Sequence, residues 1–167
     1  MENRKIRVGI THGDINGVGY EVILKTFSDP TMLELCTPVV YGSPKVAAYH
    51  RKAMEIQTSF SIVNSAEEVQ DGRVNVVNCI EEELKVELTK PPPEAGKAAL
   101  AALERALADY REGLFDVLVT APINKHTIQS EEFHFPGHTE YIEERVGEGQ
   151  KALMILLKGD FRVALVT

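Results

Sequence analysis

The sequence has 167 residues, 44% hydrophobic and 26% charged, an ordinary globular composition with enough chain for one domain and its core. Its formal net charge of -7 leaves no electrostatic footprint for nucleic acid or for an anionic membrane. No run of about eighteen apolar residues predicts a membrane span, and "MENRKIRVGI" lacks the apolar core of a signal peptide, so a cytoplasmic setting is expected.

The first element is "KIRVGI", Lys5 to Ile10, a β-rich run that ends in "THGDINGVG". A helix follows, with Val18, Val22, Ile23 and Phe27 predicted on one face. Gly13, Gly17 and Gly19 stand between strand and helix. Their spacing reverses the dinucleotide fingerprint, and the G-K-[ST] of a Walker A loop is absent, so neither nucleotide motif is met. The loop is either a strand-to-helix turn that needs glycine or a run of backbone N–H groups favouring an anion at a helix start. Asp14 is accordingly a ligand contact or a local cap. His12, just after the strand, is expected to face a cleft.

"TPVVYG", Thr37 to Gly42, is the second strand. Ser43 and Pro44 read as an N-cap and first-turn proline, opening a helix through "KVAAYHRKAMEI". His50, in mid-helix, reads as a surface residue. Cys36 and Cys79 form no CxxC and read as buried free thiols. "SFSIVN" and "RVNVVN" are further strands, with a turn at Asp71-Gly72 between them, and "ELKVEL" is a third, more exposed one. "TKPPPEAGK" breaks the chain. "EAGKAALAALERALADYREG" is then the strongest helix, with Leu100, Leu103 and Leu107 along one side and Gly113 near its end.

"FDVLVT", Phe115 to Thr120, reads as a buried strand delivering "TAPINK", with a short helix over Asn124 to Ser130. Asn124 both donates and accepts, and Lys125 offers a charge to a carboxylate or phosphate. Equally, Asn124 caps a helix and Lys125 is solvated. "FPGHTE" places His138 and Thr139 at the start of another helix, ending near Gly147. Capping and the helix dipole account for Thr139 and Glu140 but leave the histidine unexplained. An anion facing His138, Thr139 and the free N–H groups accounts for it. His134 and His138 are four apart, yet Pro136 and Gly137 interrupt any helix between them. His126 is the only nearby third ligand, so no metal site is expected within this chain. "ALMILL" and "FRVALVT" are the last strands, joined around Lys158-Gly159-Asp160. The sequence stops on the last residue of an apolar strand, which reads as a truncation with the C-terminal part missing.

Strands alternating with helices predict an α/β fold with a mostly parallel sheet flanked by helices. Ligands bind such sheets beyond the carboxyl ends of the strands, where "THGD" and "TAPINK" sit.

Taken together, "GDINGVG", "TAPINK" (Thr120 to Lys125) and "GHTE" (Gly137 to Glu140), in this order, resemble the 4-hydroxythreonine-4-phosphate dehydrogenase family of pyridoxal phosphate biosynthesis. Ile15 and Asn16 depart from that family's proline and small residue, which either tunes the substrate or reshapes the turn. The resemblance implies an isocitrate/isopropylmalate dehydrogenase-like fold, of which residues 1–167 are the N-terminal α/β segment of a longer two-domain enzyme. It implies NAD- or NADP-dependent oxidation of a small phosphorylated substrate, 4-phosphohydroxy-L-threonine, with decarboxylation. A divalent metal (zinc, magnesium or cobalt) is implied, held by residues beyond Thr167, as is a homodimer. His138 and Thr139 are carried over as the substrate-binding pair, and Asp14, Asn124 and Lys125 as cleft residues. The segment alone is then expected to be inactive. A sister dehydrogenase of a related four-carbon phosphorylated acid, or a non-catalytic α/β segment, are the alternatives. An acyl transferase of similar architecture finds no residue that asks for it.

Overall fold

The computed structural model describes residues 4–81, 84–87 and 92–166, which fall into two compact units, Met1–His134 and Phe135–Thr167. The first unit is built on a five-stranded parallel sheet in the order β3-β4-β2-β1-β5. Its strands are β1 (Ile6–Thr11), β2 (Cys36–Gly42), β3 (Phe60–Val63), β4 (Val74–Asn78) and β5 (Val117–Thr120). Thr11 stands level with Tyr41 of β2 and with Thr120 of β5, so the ends of the three strands are aligned.

The sheet has two faces because successive side chains of a strand point opposite ways. On β2, Val40 joins Ile10, Val76 and residues of the helices α1 (Gly19–Thr26) and α3 (Pro44–Ala53). Its neighbours Val39 and Tyr41 join Val77, Phe115 and two alanines of α4 (Pro93–Arg111), Ala102 and Ala106. Cover on both faces is why "TPVVYG" reads as a continuous apolar run. Ser43 caps α3 as expected, its hydroxyl accepting from the Val46 N–H at 3.3 Å. A further helix, α2 (Pro30–Leu35), was not read from the sequence; Asp29 caps it and Pro30 opens it.

Several expectations need correction. The buried face of α1 carries Tyr20, Ile23, Leu24 and, just past its end, Phe27, while Val18 and Val22 are more than half exposed. A fully buried tyrosine, polar at its tip, took the place that apolar counting gave to the valines. Among the described residues β5 stands at the end of the strand order, where a buried strand was expected, with Val117 and Val119 48% and 47% exposed. The stretch Asn124 to Ser130 is a single turn, closed by Ile128 N–H to Asn124 O at 3.1 Å, and not a helix. Within it, Asn124 Oδ1 accepts from the His126 and Thr127 N–H groups as an N-cap does, but the turn is not continued, and Ser130 Oγ then accepts from the N–H groups of Glu132 and Phe133. Of "ELKVEL", residues 84–87 are described and form no strand; Glu83 and Leu88 lie outside the described residues, as do Thr89, Lys90 and Pro91 of the proline-rich break.

The second unit holds α5 (His138–Val146) and an antiparallel hairpin of β6 (Met154–Lys158) and β7 (Phe161–Leu165). The hairpin turns at Gly159, whose φ of 57° suits glycine. Its residues are largely exposed, so "FRVALVT" is not a core strand among the described residues. Tyr141 anchors α5, with Phe135 edge-on at 5.1 Å and the Arg145 guanidinium 5.1 Å over its ring.

Candidate functional site

β1 and β5 are neighbours, so the loops leaving their carboxyl ends meet. The Ala121 N–H donates to Thr11 O at 3.1 Å, and the Asp14 N–H to Pro122 O at 2.9 Å. Gly13, at φ 71°, lies so close that a methyl there would land on the Pro122 carbonyl. A methyl on Gly19 would likewise land on the His12 carbonyl. Close packing within the chain therefore accounts for these glycines, without a nucleotide phosphate.

Asp14, Asn124 and Lys125 are brought to this one end of the sheet. Asp14 is half-buried and holds its own turn: Oδ1 accepts from the Asn16 N–H at 3.0 Å and the main-chain oxygen from the Gly17 N–H at 3.0 Å. Asn124 spends its side-chain oxygen on the turn already described, which leaves its amide N–H₂ for other partners. Lys125 is exposed. The two departures in the loop have structural work. Ile15 is buried in the core, and Asn16 Oδ1 accepts from the Glu87 N–H at 2.8 Å, pinning the segment 84–87. Thr11 Oγ1, His12 Nδ1 and Asn16 Nδ2 are buried without partners among the described residues. All three belong to the root of this loop.

His12 is fully buried rather than facing a cleft. Its Nε2 lies 3.2 Å from Ala98 O, and burial pushes its pKa down to about 4. The unfolded chain takes up a proton near pH 6.5 that the buried ring refuses until about pH 4. The ring's contribution to stability is thus complete above pH 6.5 and falls as the pH drops through that window. The loss is on the order of 3 kcal/mol. Urea midpoints measured from pH 7 to pH 4 should fall, and should fall less for His12→Gln. His50, expected at the surface, is 5% exposed, its Nε2 2.8 Å from Ile15 O. It follows Val46 by four residues and so shares that residue's inward face.

His138 and Thr139 lie in the other unit, in the first turn of α5. Gly137 is the N-cap, in an extended conformation, and no side chain caps the helix. The capping role considered for Thr139 is therefore not the one it has. His138 is half-buried, and burial holds its imidazole below the usual histidine range, so it is neutral at pH 7 with one N–H donor and one acceptor.

Among the described residues no group of three or more His, Cys, Asp or Glu side chains is placed to hold a metal. His126 and His134 are exposed. A cleft of about 650 Å³ between α4 and Thr127–Glu132 includes none of the expected site residues.

Residues 34–167 match the family model described as pyridoxal phosphate biosynthetic protein PdxA. The chain is 77% identical, over all of its length, to 46% of a 4-hydroxythreonine-4-phosphate dehydrogenase of Bacteroides thetaiotaomicron. It is 30% identical, over 92% of its length, to 47% of an Oceanobacillus iheyensis protein provisionally named D-threonate 4-phosphate dehydrogenase. It thus spans about half the length of these relatives. Among solved structures it is similar to a 4-hydroxythreonine-4-phosphate dehydrogenase from Burkholderia phymatum. The TM-score is 0.82 at 27% identity, over 97% of this chain and 49% of that one.

Proposed function

Because the chain belongs to the family of pyridoxal phosphate biosynthetic protein PdxA, we propose that it works as part of a longer dehydrogenase oxidising 4-phosphohydroxy-L-threonine. The observation that carries this is the 77% identity, across every residue, to a 4-hydroxythreonine-4-phosphate dehydrogenase. The reaction is a two-electron oxidation of a secondary alcohol. A hydride passes to NAD or NADP, the hydroxyl proton leaves, and the resulting β-keto acid releases its carboxylate as CO₂.

In this reading the residues of the chain bind and orient the substrate. His138 and Thr139, side by side in the first turn of α5, offer an imidazole N–H and a hydroxyl to a substrate oxygen. Asp14, Asn124 and Lys125 belong to the loops at the end of β1 and β5. There Lys125 offers a positive charge and Asn124 an amide donor to an anionic group. The family's metal needs a ligand set that the described residues do not form. The intact protein is read as a cytoplasmic homodimer.

A second reading, oxidation of D-threonate 4-phosphate, is favoured by the name of the Oceanobacillus relative, at much lower identity. The test is reduction of NAD by the full-length enzyme supplied with 4-phosphohydroxy-L-threonine and a divalent metal. Turnover is expected, and should cease when a chelator removes the metal. No turnover with any of zinc, magnesium or cobalt would overturn the reading.

A further inference from the structure

Beneath the loop Gly13–Val18 lie three stacked rings to which the proposed reaction gives no part. His12 precedes the loop, Tyr20 follows it, and His50 reaches in from α3. The His12 and Tyr20 rings are 5.3 Å apart and nearly parallel, at 13°. Tyr20 and His50 are 5.5 Å apart at 24°. Offset stacking at such distances holds rings in register beyond what burial alone does. Each ring is also tied to main chain. His12 is bound to Ala98 O; the Tyr20 hydroxyl donates to Ser43 O at 3.0 Å and accepts from the Ser43 N–H at 2.8 Å. Gly42 makes room for them, since a methyl there would meet both His12 and Tyr20.

Of the three, only His50 grips the loop's interior, through the Ile15 carbonyl. Ile15 is the residue next to Asp14, whose own N–H is bonded to Pro122. Asp14 is therefore held on one side by "TAPINK" and on the other, through one peptide unit, by His50. We propose that His50 is a positioning residue, whose N–H bond to Ile15 O fixes the backbone that presents Asp14 to the substrate. This rests on the reading of Asp14 as a cleft residue.

The test is made on the full-length enzyme. His50→Phe keeps a ring on Tyr20 and removes the donor. His50→Gln keeps a donor and removes the ring. In His50→Phe, amide exchange at Asp14, Asn16 and Gly17 is expected to speed up about tenfold, as a local opening does. The loss of one buried hydrogen bond should raise KM about fivefold, with kcat within about twofold of wild type. His50→Gln should restore both. His50→Asn, whose donor stops short of the Ile15 carbonyl, is the second variant and should behave like the phenylalanine. Wild-type exchange in either His50→Phe or His50→Asn, or a glutamine as impaired as the phenylalanine, would overturn the inference. Fast exchange with unchanged KM in both His50→Phe and Asp14→Asn would instead overturn the reading of Asp14, and the functional half of the inference with it.

Discussion

In the full-length enzyme, His138→Ala is expected to lower kcat/KM for 4-phosphohydroxy-L-threonine by between about ten- and a hundredfold, with little change in folding. The magnitude follows from the kind of bond removed. A neutral imidazole donating to an anionic phosphate or carboxylate makes a charge-assisted hydrogen bond, of about 1.5–3 kcal/mol. Burial lowers that imidazole's pKa and so favours its neutral form. The small structural cost follows from its place. His138 is the first residue of α5, and no side chain, its own included, caps the helix. Its truncation therefore removes no cap, and the thermal midpoint should move by no more than a few degrees, roughly the range of an ordinary half-buried substitution. Thr139→Val, which keeps the shape and loses the hydroxyl, should cost about fivefold, the worth of a neutral bond. Normal KM and turnover in His138→Ala would remove this residue from the site.

The second large effect concerns stability, where helix propensity and packing act with opposite sign. Gly96 lies inside α4, where replacing glycine by alanine ordinarily stabilises by about 1 kcal/mol. Here a methyl group would land on the Thr127 carbonyl and reach the Ile128 N–H. These are backbone atoms of the turn that Asn124 organises, so no rotamer change relieves the contact. The helix or the turn must move instead, and overpacking of this kind costs about 3 kcal/mol. The contact outweighs the propensity, so Gly96→Ala should be destabilising by about 2 kcal/mol net. Urea denaturation checks it; a midpoint at or above that of the wild type would mean that α4 and the turn are free to separate.

Most of the first unit is legible in the sequence, because its signals are local. The cap at Ser43, the proline that opens α3, the leucines of α4 and the apolar strands each announce themselves within a few residues. What escaped depends on partners distant in sequence. Nothing around Val117 says that β5 stands last in the order of the described strands, since that position is defined by strands distant in sequence. Nothing near His50 names Ile15, 35 residues away, as its acceptor. Asp109 lies in the helix whose leucines were expected along one side, yet it is buried, bonded by the Tyr41 hydroxyl at 2.9 Å and by Arg105 Nε at 3.0 Å. A charge spaced like a surface residue goes inside only because Tyr41 and Arg105 meet it there.

The site divides in the same way. The grouping of Asp14 with "TAPINK" follows from strand order, which the α/β pattern suggests and the pairing of β1 with β5 supplies. The glycines needed the third dimension, because only the close approach of Pro122 and His12 explains them. Ile15 and Asn16, which as letters left substrate tuning and turn shape equally open, are occupied in packing and in holding Glu87.

The most direct measurement is kcat/KM for the full-length enzyme with 4-phosphohydroxy-L-threonine and with D-threonate 4-phosphate, under the same NAD and metal. The account predicts at least about a tenfold preference for 4-phosphohydroxy-L-threonine, the scale that one matched polar contact supplies. A preference of that size for D-threonate 4-phosphate would contradict it.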